Sequence, residues 1–327
     1  MILITGGAGF IGSNIVAAFE ARGEKVLVCD RLESDERWRN LAKRDLVDLI
    51  APEDLFDALG AIAEELTAVI HMGAISATTE TDVDKIVENN IRLTLDLVAW
   101  CTAHDVRLIY ASSAATYGDG AMGFDDNESV EALSRLQPLN AYGWSKHFVD
   151  RRIARMKLDG DALPAQIAGL KFFNVYGPNE AHKGSMRSVV HAVYERAAAG
   201  QPARLFRSHN PEYADGGQLR DFVWVGDCVD MVMWLYDHAE VSGLFNCGTG
   251  QARSFLDLAK AVYAALDLEF KVEWVDTPEA IREKYQYFTE AQMGKIRGAG
   301  FIAEPTPLED GVRRYVTQFL ATSDAYR

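Results

Sequence analysis

The chain has 327 residues, 48% hydrophobic and 25% charged, enough apolar surface to bury one large or two modest cores, which excludes a mainly disordered chain. Its 33 Lys and Arg against 48 Asp and Glu give a formal charge of -15, which disfavours a nucleic-acid footprint or adhesion to anionic lipid and leaves open a phosphorylated small ligand held by local donors. The four cysteines, Cys29, Cys101, Cys228 and Cys247, form no C-x-x-C pair, and neither a signal-peptide pattern nor an apolar run long enough for a membrane span is visible, so a cytoplasmic protein is expected.

Residues 1–5, 25–30, 67–72 and 106–111 are short, β-branched and apolar nearly throughout, the pattern of strands buried on both faces of a parallel sheet. Residues 10–22, 52–63 and 82–104 lie between them with helical spacing. This βαβ repetition predicts an α/β fold with a doubly wound sheet, to which residues 166–173 add a further strand. Beyond Asn174 the pattern loosens into helices near 185–199, 227–238, 254–266 and 307–320, with extended pieces at 204–206 and 271–275. The chain thus divides into a doubly wound domain at 1–173 and a smaller mixed α/β lobe at 174–327, with residues 221–223 and 245–247 expected to return to the sheet or its edge. The polar stretch 209–218 reads as a surface loop.

Between the first strand and the first helix stands Thr5-Gly6-Gly7-Ala8-Gly9-Phe10-Ile11-Gly12. A glycine turn in that place brings a pyrophosphate onto the backbone N–H groups that open the helix, including those of Phe10 and Ile11. Gly6 makes the turn, Gly9 permits close approach, and Gly12 allows tight helix packing. Asp30 ends the second strand, where a carboxylate accepts from the adenine ribose hydroxyls and favours NAD. Arg31, Arg37 and Arg39 follow closely, and a guanidinium pairs bidentately with the additional phosphate of NADP. The competing reading makes these arginines a solvated face beside Glu33, Asp35 and Glu36. The balance tips to NADP, with NAD as the alternative, on a Rossmann-type domain.

Tyr142 and Lys146 are four residues apart, so on a helix they share a face. A free phenol, with a pKa of about 10, is too reluctant a base at neutral pH; a nearby ammonium and an oxidised nicotinamide bring it down. Lys146 is also suited to hold the nicotinamide ribose. Ala111-Ser112-Ser113-Ala114-Ala115-Thr116-Tyr117-Gly118 follows an apolar strand, so its hydroxyls emerge at the carboxyl end of the sheet, and Ser113 is assigned to polarise the reacting C–O bond. The plainer alternative is that these small residues only finish a strand. Met72, Gly73, Ala74 and Ser76 border the cofactor side of the next turn, and on the helix beyond it Asn89 is preferred to Asn90 as a cofactor contact, backbone satisfaction being the other reading.

Together the glycine fingerprint, the Ser-Ser-Ala-Ala-Thr-Tyr-Gly run and Tyr-x-x-x-Lys resemble the extended short-chain dehydrogenases, which include sugar-nucleotide epimerases and dehydratases. A dehydratase would carry an acidic pair where Ala114 and Ala115 stand, so elimination is disfavoured. Gly73-Ala74 with Thr78-Thr79-Glu80, Phe173-Asn174-Val175-Tyr176-Gly177-Pro178, His182-Lys183-Gly184-Ser185-Met186, Arg220-Asp221-Phe222-Val223, and Tyr285-Gln286 before Phe288-Thr289 are similar to the ADP-glyceromanno-heptose 6-epimerases over nearly the whole chain. The His-Lys-Gly-Ser-Met segment is the most restrictive of these.

The resemblance implies an ADP-heptose substrate of lipopolysaccharide synthesis, oxidised at C6 to a ketone by bound NADP and reduced again on its other face, in a homo-oligomer, here a pentamer. It implies Lys183 as a second acid/base beside Tyr142 and the cofactor, an ordinary phosphate-binding lysine being the alternative. By the same resemblance Val175 lies near the cofactor, Asn174, Ser185 and Arg220 bind substrate, and Phe206, Arg207, Ser208, His209 and Tyr285 close around nucleotide or sugar. The structural alternatives are an Arg220–Asp221 ion pair and a Tyr285 buried in the core; His191 lies one residue away from a family histidine. Pro52 and Met72 depart from the family's lysine and acid near the cofactor, and 209–218 is additional loop. A UDP-hexose 4-epimerase, which would keep Tyr142 and Lys146, and a non-catalytic dinucleotide sensor, which would need neither, are the rival readings.

Overall fold

The computed structural model describes residues 1–282 and 286–327. The first half alternates strand and helix: β1 (Ile2–Thr5), α1 (Phe10–Ala21), β2 (Val26–Cys29), β3 (Asp48–Ile50), α2 (Leu55–Ile62), β4 (Ala68–His71), α3 (Val83–Ile86), α4 (Leu93–Ala103), β5 (Arg107–Ser113), α5 (Val130–Ser134), α6 (Ala141–Asp159) and β6 (Ile167–Phe172). The second half contributes β7 (Asn174–Tyr176), α7 (Val189–Ala198), β8 (Ala203–Phe206), β9 (Leu219–Trp224), α8 (Val225–Asp237), β10 (Gly243–Cys247), β11 (Ala252–Ser254), α9 (Phe255–Ala265), β12 (Val272–Val275), α10 (Glu279–Arg282), α11 (Gly294–Gly298) and α12 (Leu308–Tyr315).

The main sheet has seven strands in the order β10-β6-β5-β4-β1-β2-β3, every neighbour parallel. Successive side chains on a strand point to opposite faces, so a strand covered on both sides must be apolar at every position. Ile2, Ile4, Val26, Val28, Ile70 and Ile109 pack with α1 and α8, while Leu3, Leu27, Val69 and Leu108 pack with α2, α4 and α6. That two-sided burial is the reason the strands read as unbroken hydrophobic runs. Only β3 escaped the pattern, because as an outer strand it exposes Asp48 and Leu49.

Residues 245–247 do return to the main sheet, as β10 beside β6. Residues 221–223 do not. With β10 occupying that edge of β6, they form β9, the centre of a separate three-stranded sheet, antiparallel to β11 and parallel to β7. A parallel β8–β12 pair completes the strands of the second half, and Val190, Val193, Leu205, Trp224, Leu258, Val262, Val312 and Tyr315 form their own core.

Along β9, neighbouring Arg220 and Asp221 are divided between its two faces. The Asp221 carboxylate is wholly buried and accepts from the Thr249 N–H (2.8 Å) and hydroxyl (2.7 Å), the Gly250 N–H (2.9 Å) and the Ala291 N–H (3.0 Å). It therefore latches the β10–β11 turn and the segment at 291 onto β9, in place of the ion pair with Arg220 that was the alternative for that arginine. Replacing Asp221 with Ala leaves these donors buried and unpaired, and is expected to cost about 3 kcal/mol or more of unfolding free energy. Urea denaturation checks this; a loss below about 1 kcal/mol would show the latch to be dispensable.

Candidate active site

In a parallel sheet the carboxyl ends of neighbouring strands open on one edge, and here β1, β2, β4 and β5 deliver Gly6, Asp30, Met72 and Ser113 to it. The turn after β1 is shaped by backbone contact: Gly6 N–H donates to Cys29 O at 2.8 Å and Gly9 N–H to Gly6 O at 3.0 Å. A Cβ on Gly12 would stand 2.1 Å from Gly6 O, so only glycine lets α1 begin this close to the turn. Gly9 caps α1 without a side-chain hydrogen bond, which leaves the first N–H groups of the helix to a ligand. The residues present therefore fit a dinucleotide pyrophosphate.

Asp30 accepts from Ala8 N–H (2.9 Å) and Arg31 N–H (2.8 Å), tying the second strand to the glycine turn. Burial raises its pKa, against hydrogen bonds from Ala8, Arg31 and Gly9 and the charge of Arg37. Arg37 stands 3.9 Å from Asp30, but its guanidinium is held by Asp35 at 2.7 Å and Glu33 at 3.3 Å. Arg31 pairs with Glu53 at 2.7 Å. Arg39 pairs with Glu36 and lies over the Trp38 and Tyr326 rings.

On the other side of β1, a buried chain of hydrogen bonds sets the Met72–Ser76 turn. Thr94 spends its hydroxyl proton on Asn90 O (2.7 Å), so it accepts from His71 Nε2–H (2.9 Å). His71 Nδ1 then accepts from the Thr5 hydroxyl (2.6 Å), which in turn accepts from Gly73 N–H (3.1 Å). Burial pulls His71 down to about 3, so this ring is neutral at any working pH. Asn90, fully buried, grips Ile75 through both N–H (2.8 Å) and carbonyl (3.0 Å) and donates to Ser145 on α6 at 3.0 Å. Asn89, the residue preferred from sequence, turns its amide back to Lys85 O at 2.8 Å. Both asparagines stand on a π-helical turn at Val87–Arg92 between α3 and α4, whose wider winding shifts side chains off the 3.6-residue phase.

Asn140 caps α6 by accepting from Gly143 N–H at 2.8 Å. A Cβ on Gly143 would meet Ala115 O at 2.7 Å, so this glycine lets α6 press against the turn that follows β5. The close approach brings the Tyr142 phenol beside the Ser113 side chain. Ser113 is 9% exposed and also accepts from Ala115 N–H at 3.1 Å. Burial raises the Tyr142 pKa, and the Ser113 side chain works against that rise. Lys146, one turn along, is 3% exposed; burial lowers it to about 8, while the Asp150 carboxylate pulls the other way. Burial thus opposes the lowering of the phenol that the Tyr142–Lys146 spacing predicts.

Lys183 sits in the short helical turn Ala181–Met186 with its ammonium 5.3 Å over the Phe10 ring, at the start of α1. Burial lowers its pKa against the pull of Glu180. The segment is stapled to the glycine turn: Asn40 donates to Ala8 O (2.8 Å) and Asn179 O (3.1 Å), Asn14 to Pro178 O (3.0 Å), and Asn179 to the Ser13 hydroxyl (2.9 Å). These asparagines carry no local signal, because their partners are remote in the chain. Val175 is half-buried, and Asn174 and Ser185 are exposed.

In the second half of the chain, Arg220 is 8% exposed, lies 5.7 Å over the Phe255 ring and donates to Leu219 O. Arg207 reaches Asp215 and Asp276, each at 3.6 Å. Ser208 donates its N–H to Asp215 (2.8 Å), and the Tyr287 hydroxyl accepts from His209 N–H at 3.0 Å. Tyr287, not identified from sequence, thus organises the loop that continues from Phe206. Tyr285 lies outside the described residues. His191, on α7, is engaged by Tyr315 of α12 (3.1 Å) and by Arg187 just ahead of α7 (2.9 Å).

The chain matches the model of the NAD dependent epimerase/dehydratase family over residues 2–248. It is 48% identical to the ADP-L-glycero-D-manno-heptose-6-epimerase of Nitratidesulfovibrio vulgaris strain Hildenborough, with 100% of each chain covered. Among solved structures it superposes on the Helicobacter pylori ADP-L-glycero-D-manno-heptose-6-epimerase with a TM-score of 0.78 at 28% identity, covering 97% of this chain and 95% of that one. It also superposes on the Thermus thermophilus UDP-glucose 4-epimerase, in complex with NAD, with a TM-score of 0.72 at 26% identity, covering 95% and 96%.

The two asparagines make a paired test. Asn90→Ala is expected to weaken dinucleotide binding about tenfold by releasing the turn at Ile75, whereas Asn89→Ala stays within about twofold of the parent. Titration of protein fluorescence with dinucleotide measures both, and equal affinities would remove the role given to Asn90.

Proposed function

The chain belongs to the NAD dependent epimerase/dehydratase family and, within it, to the ADP-L-glycero-D-manno-heptose-6-epimerases, and on that footing we propose that it inverts C6 of the heptose in ADP-glycero-manno-heptose. The observation that carries the reading is the Tyr142 phenol set beside Ser113 at the end of β5, one turn from a buried Lys146 and on the same sheet edge as the glycine turn. Elimination is left without its acids. Ala114 and Ala115 offer no proton carrier beside Ser113.

A nicotinamide dinucleotide, when bound, supplies the acceptor and then the donor of a hydride at C6. Tyr142 takes the C6 hydroxyl proton, while the Ser113 hydroxyl holds the same oxygen and orients it. Its reluctance to ionise, caused by burial, is overcome by positive charge; with a pKa of about 8, Lys146 is mainly an ammonium at neutral pH and provides part of it. Once the ketone turns its other face, the returning alkoxide needs a proton donor of its own. We assign Lys183 to that second position, where burial eases release of its proton. Arg220, exposed by 8%, is assigned to the substrate pyrophosphate, with Asn174, Ser185 and the Phe206–His209 segment around nucleotide and sugar.

For the cofactor we propose NADP, with NAD the alternative. Arg31 and Arg37 flank Asp30, and a 2′-phosphate would draw Arg37 from Asp35 and Arg31 from Glu53. We also propose a homo-oligomer, a pentamer, located in the cytoplasm; no helix among the described residues is long and apolar enough to cross a membrane.

Incubating the protein with ADP-heptose and separating the C6 epimers tests the reaction, with UDP-glucose as a parallel challenge. Conversion of UDP-glucose alone overturns the assignment. Tyr142→Phe and Lys183→Ala are each expected to lower kcat by about 100-fold or more while dinucleotide stays bound, and full activity in both would remove the two-base scheme. Arg37→Ala is expected to weaken NADP by about tenfold and NAD by no more than about twofold; equal losses for the two dinucleotides would count against NADP.

A further inference from the structure

Beneath the proposed reaction centre lies an ion pair that the chemistry above does not use. Asp150 and Lys171 are joined at 2.7 Å, both side chains fully out of solvent. Asp150 continues the ridge of α6 that carries Tyr142 and Lys146, since residues four apart stack on one helical face. Its carboxylate collects three donors from two other strands: the Lys171 ammonium on β6, the Ser112 hydroxyl (2.7 Å) and the Tyr110 hydroxyl (3.2 Å) on β5. Lys171 also donates to the Thr116 hydroxyl at 2.6 Å, and Thr116 passes its own proton to Ser113 O at 2.8 Å. A continuous charged network thus runs from the helix, through two strands, to the backbone of Ser113.

We propose that the Asp150–Lys171 pair is a positioning device for the reaction: it locks the end of β5, and Ser113 with it, to the helix carrying Tyr142 and Lys146, and keeps a carboxylate one turn behind the Lys146 ammonium. The inference rests on the proposed epimerisation and deepens it. A burial this complete argues for a role in placement, because two ions in a dry interior gain little stability over a packed apolar pair. An angular slip between Ser113 and Tyr142 would cost turnover without costing affinity. The second effect is electrostatic, and its sign is fixed. Asp150 favours the charged form of Lys146, so its loss lets Lys146 shed a proton at lower pH. The other groups around Asp150 are Lys171 on β6, Tyr110 on β5, and Tyr142, His147 and Arg151 on α6; Tyr117 lies 5.0 Å from the Lys171 ammonium. His147 is held neutral near pH 7 by burial, at about 4, and His71, which faces Lys146 from β4, is neutral too. On the alkaline side Lys146 titrates alongside the more distant Lys183, and Lys146 is the one that Asp150 acts on.

The decisive variant is Asp150→Asn with Lys171→Met, which removes both charges and leaves neither ion unpaired. In ADP-heptose turnover it is expected to lower kcat about 10- to 100-fold, hold KM within about threefold, and move the alkaline limb of the kcat/KM profile to lower pH. Ser112→Ala, which loses one hydrogen bond and no charge, is expected to fold in any case and to lower kcat by about threefold or more at unchanged KM. A folded double variant with parental kcat and an unmoved limb overturns the proposal; if the double variant fails to fold, parental kcat in Ser112→Ala overturns it. Amide hydrogen exchange supplies a readout independent of substrate. Residues 112–117 and 141–150 are expected to lose protection together in the double variant while β1 and β2 keep theirs, and unchanged protection in both segments overturns the coupling. An inactive parent with that joint loss counts against the proposed function alone.

Discussion

Keeping an ammonium charged where water is nearly absent is the constraint around which this protein is arranged. Lys146 is 3% exposed, and a lone buried cation would shed its proton. The fold answers with position. Helix α6 runs Tyr142, Lys146 and Asp150 along one ridge, a glycine at 143 seats that ridge against the turn after β5, and the strand supplies Ser113 opposite the phenol. Each of these contacts depends on another. A bulkier residue at 143 would lift the helix, and the lifted helix would take the phenol from its serine.

The dinucleotide side is built by the same economy of backbone and small polar groups. Thr5, His71, Thr94 and Asn90 form an ordered relay in which each donor has one acceptor, so the imidazole is a neutral strut between the first strand and the turn at Gly73. The asparagines at 14, 40 and 179 do the matching task on the opposite flank, binding the Lys183 segment to the glycine turn. Cofactor cradle and proposed second base are therefore one mechanical unit, although 170 residues of chain lie between Gly12 and Lys183.

What could be read in the sequence was local. The strand runs, the glycine turn and the Tyr142–Lys146 spacing each carry their meaning within a dozen residues, and the parallel sheet follows from two-sided burial. Three things escaped for physical reasons. Asp221 has partners at 249, 250 and 291, and Asp150 has one at 171, so neither role can be inferred from flanking residues. β9 has the apolar composition of a sheet strand, yet only the prior claim of β10 on the edge of β6 decides that it pairs elsewhere.

That claim has a consequence for how the chain acquires its shape. β10 arrives some seventy positions after β6, and until it docks, the strand edge that will carry Lys171 displays unpaired N–H and C=O groups along its length. A nascent chain halted before residue 243 would offer that ribbon to any neighbouring polypeptide, so self-association during synthesis is the natural hazard of this topology. The closing strand is thus a guard against aggregation as well as a part of the core.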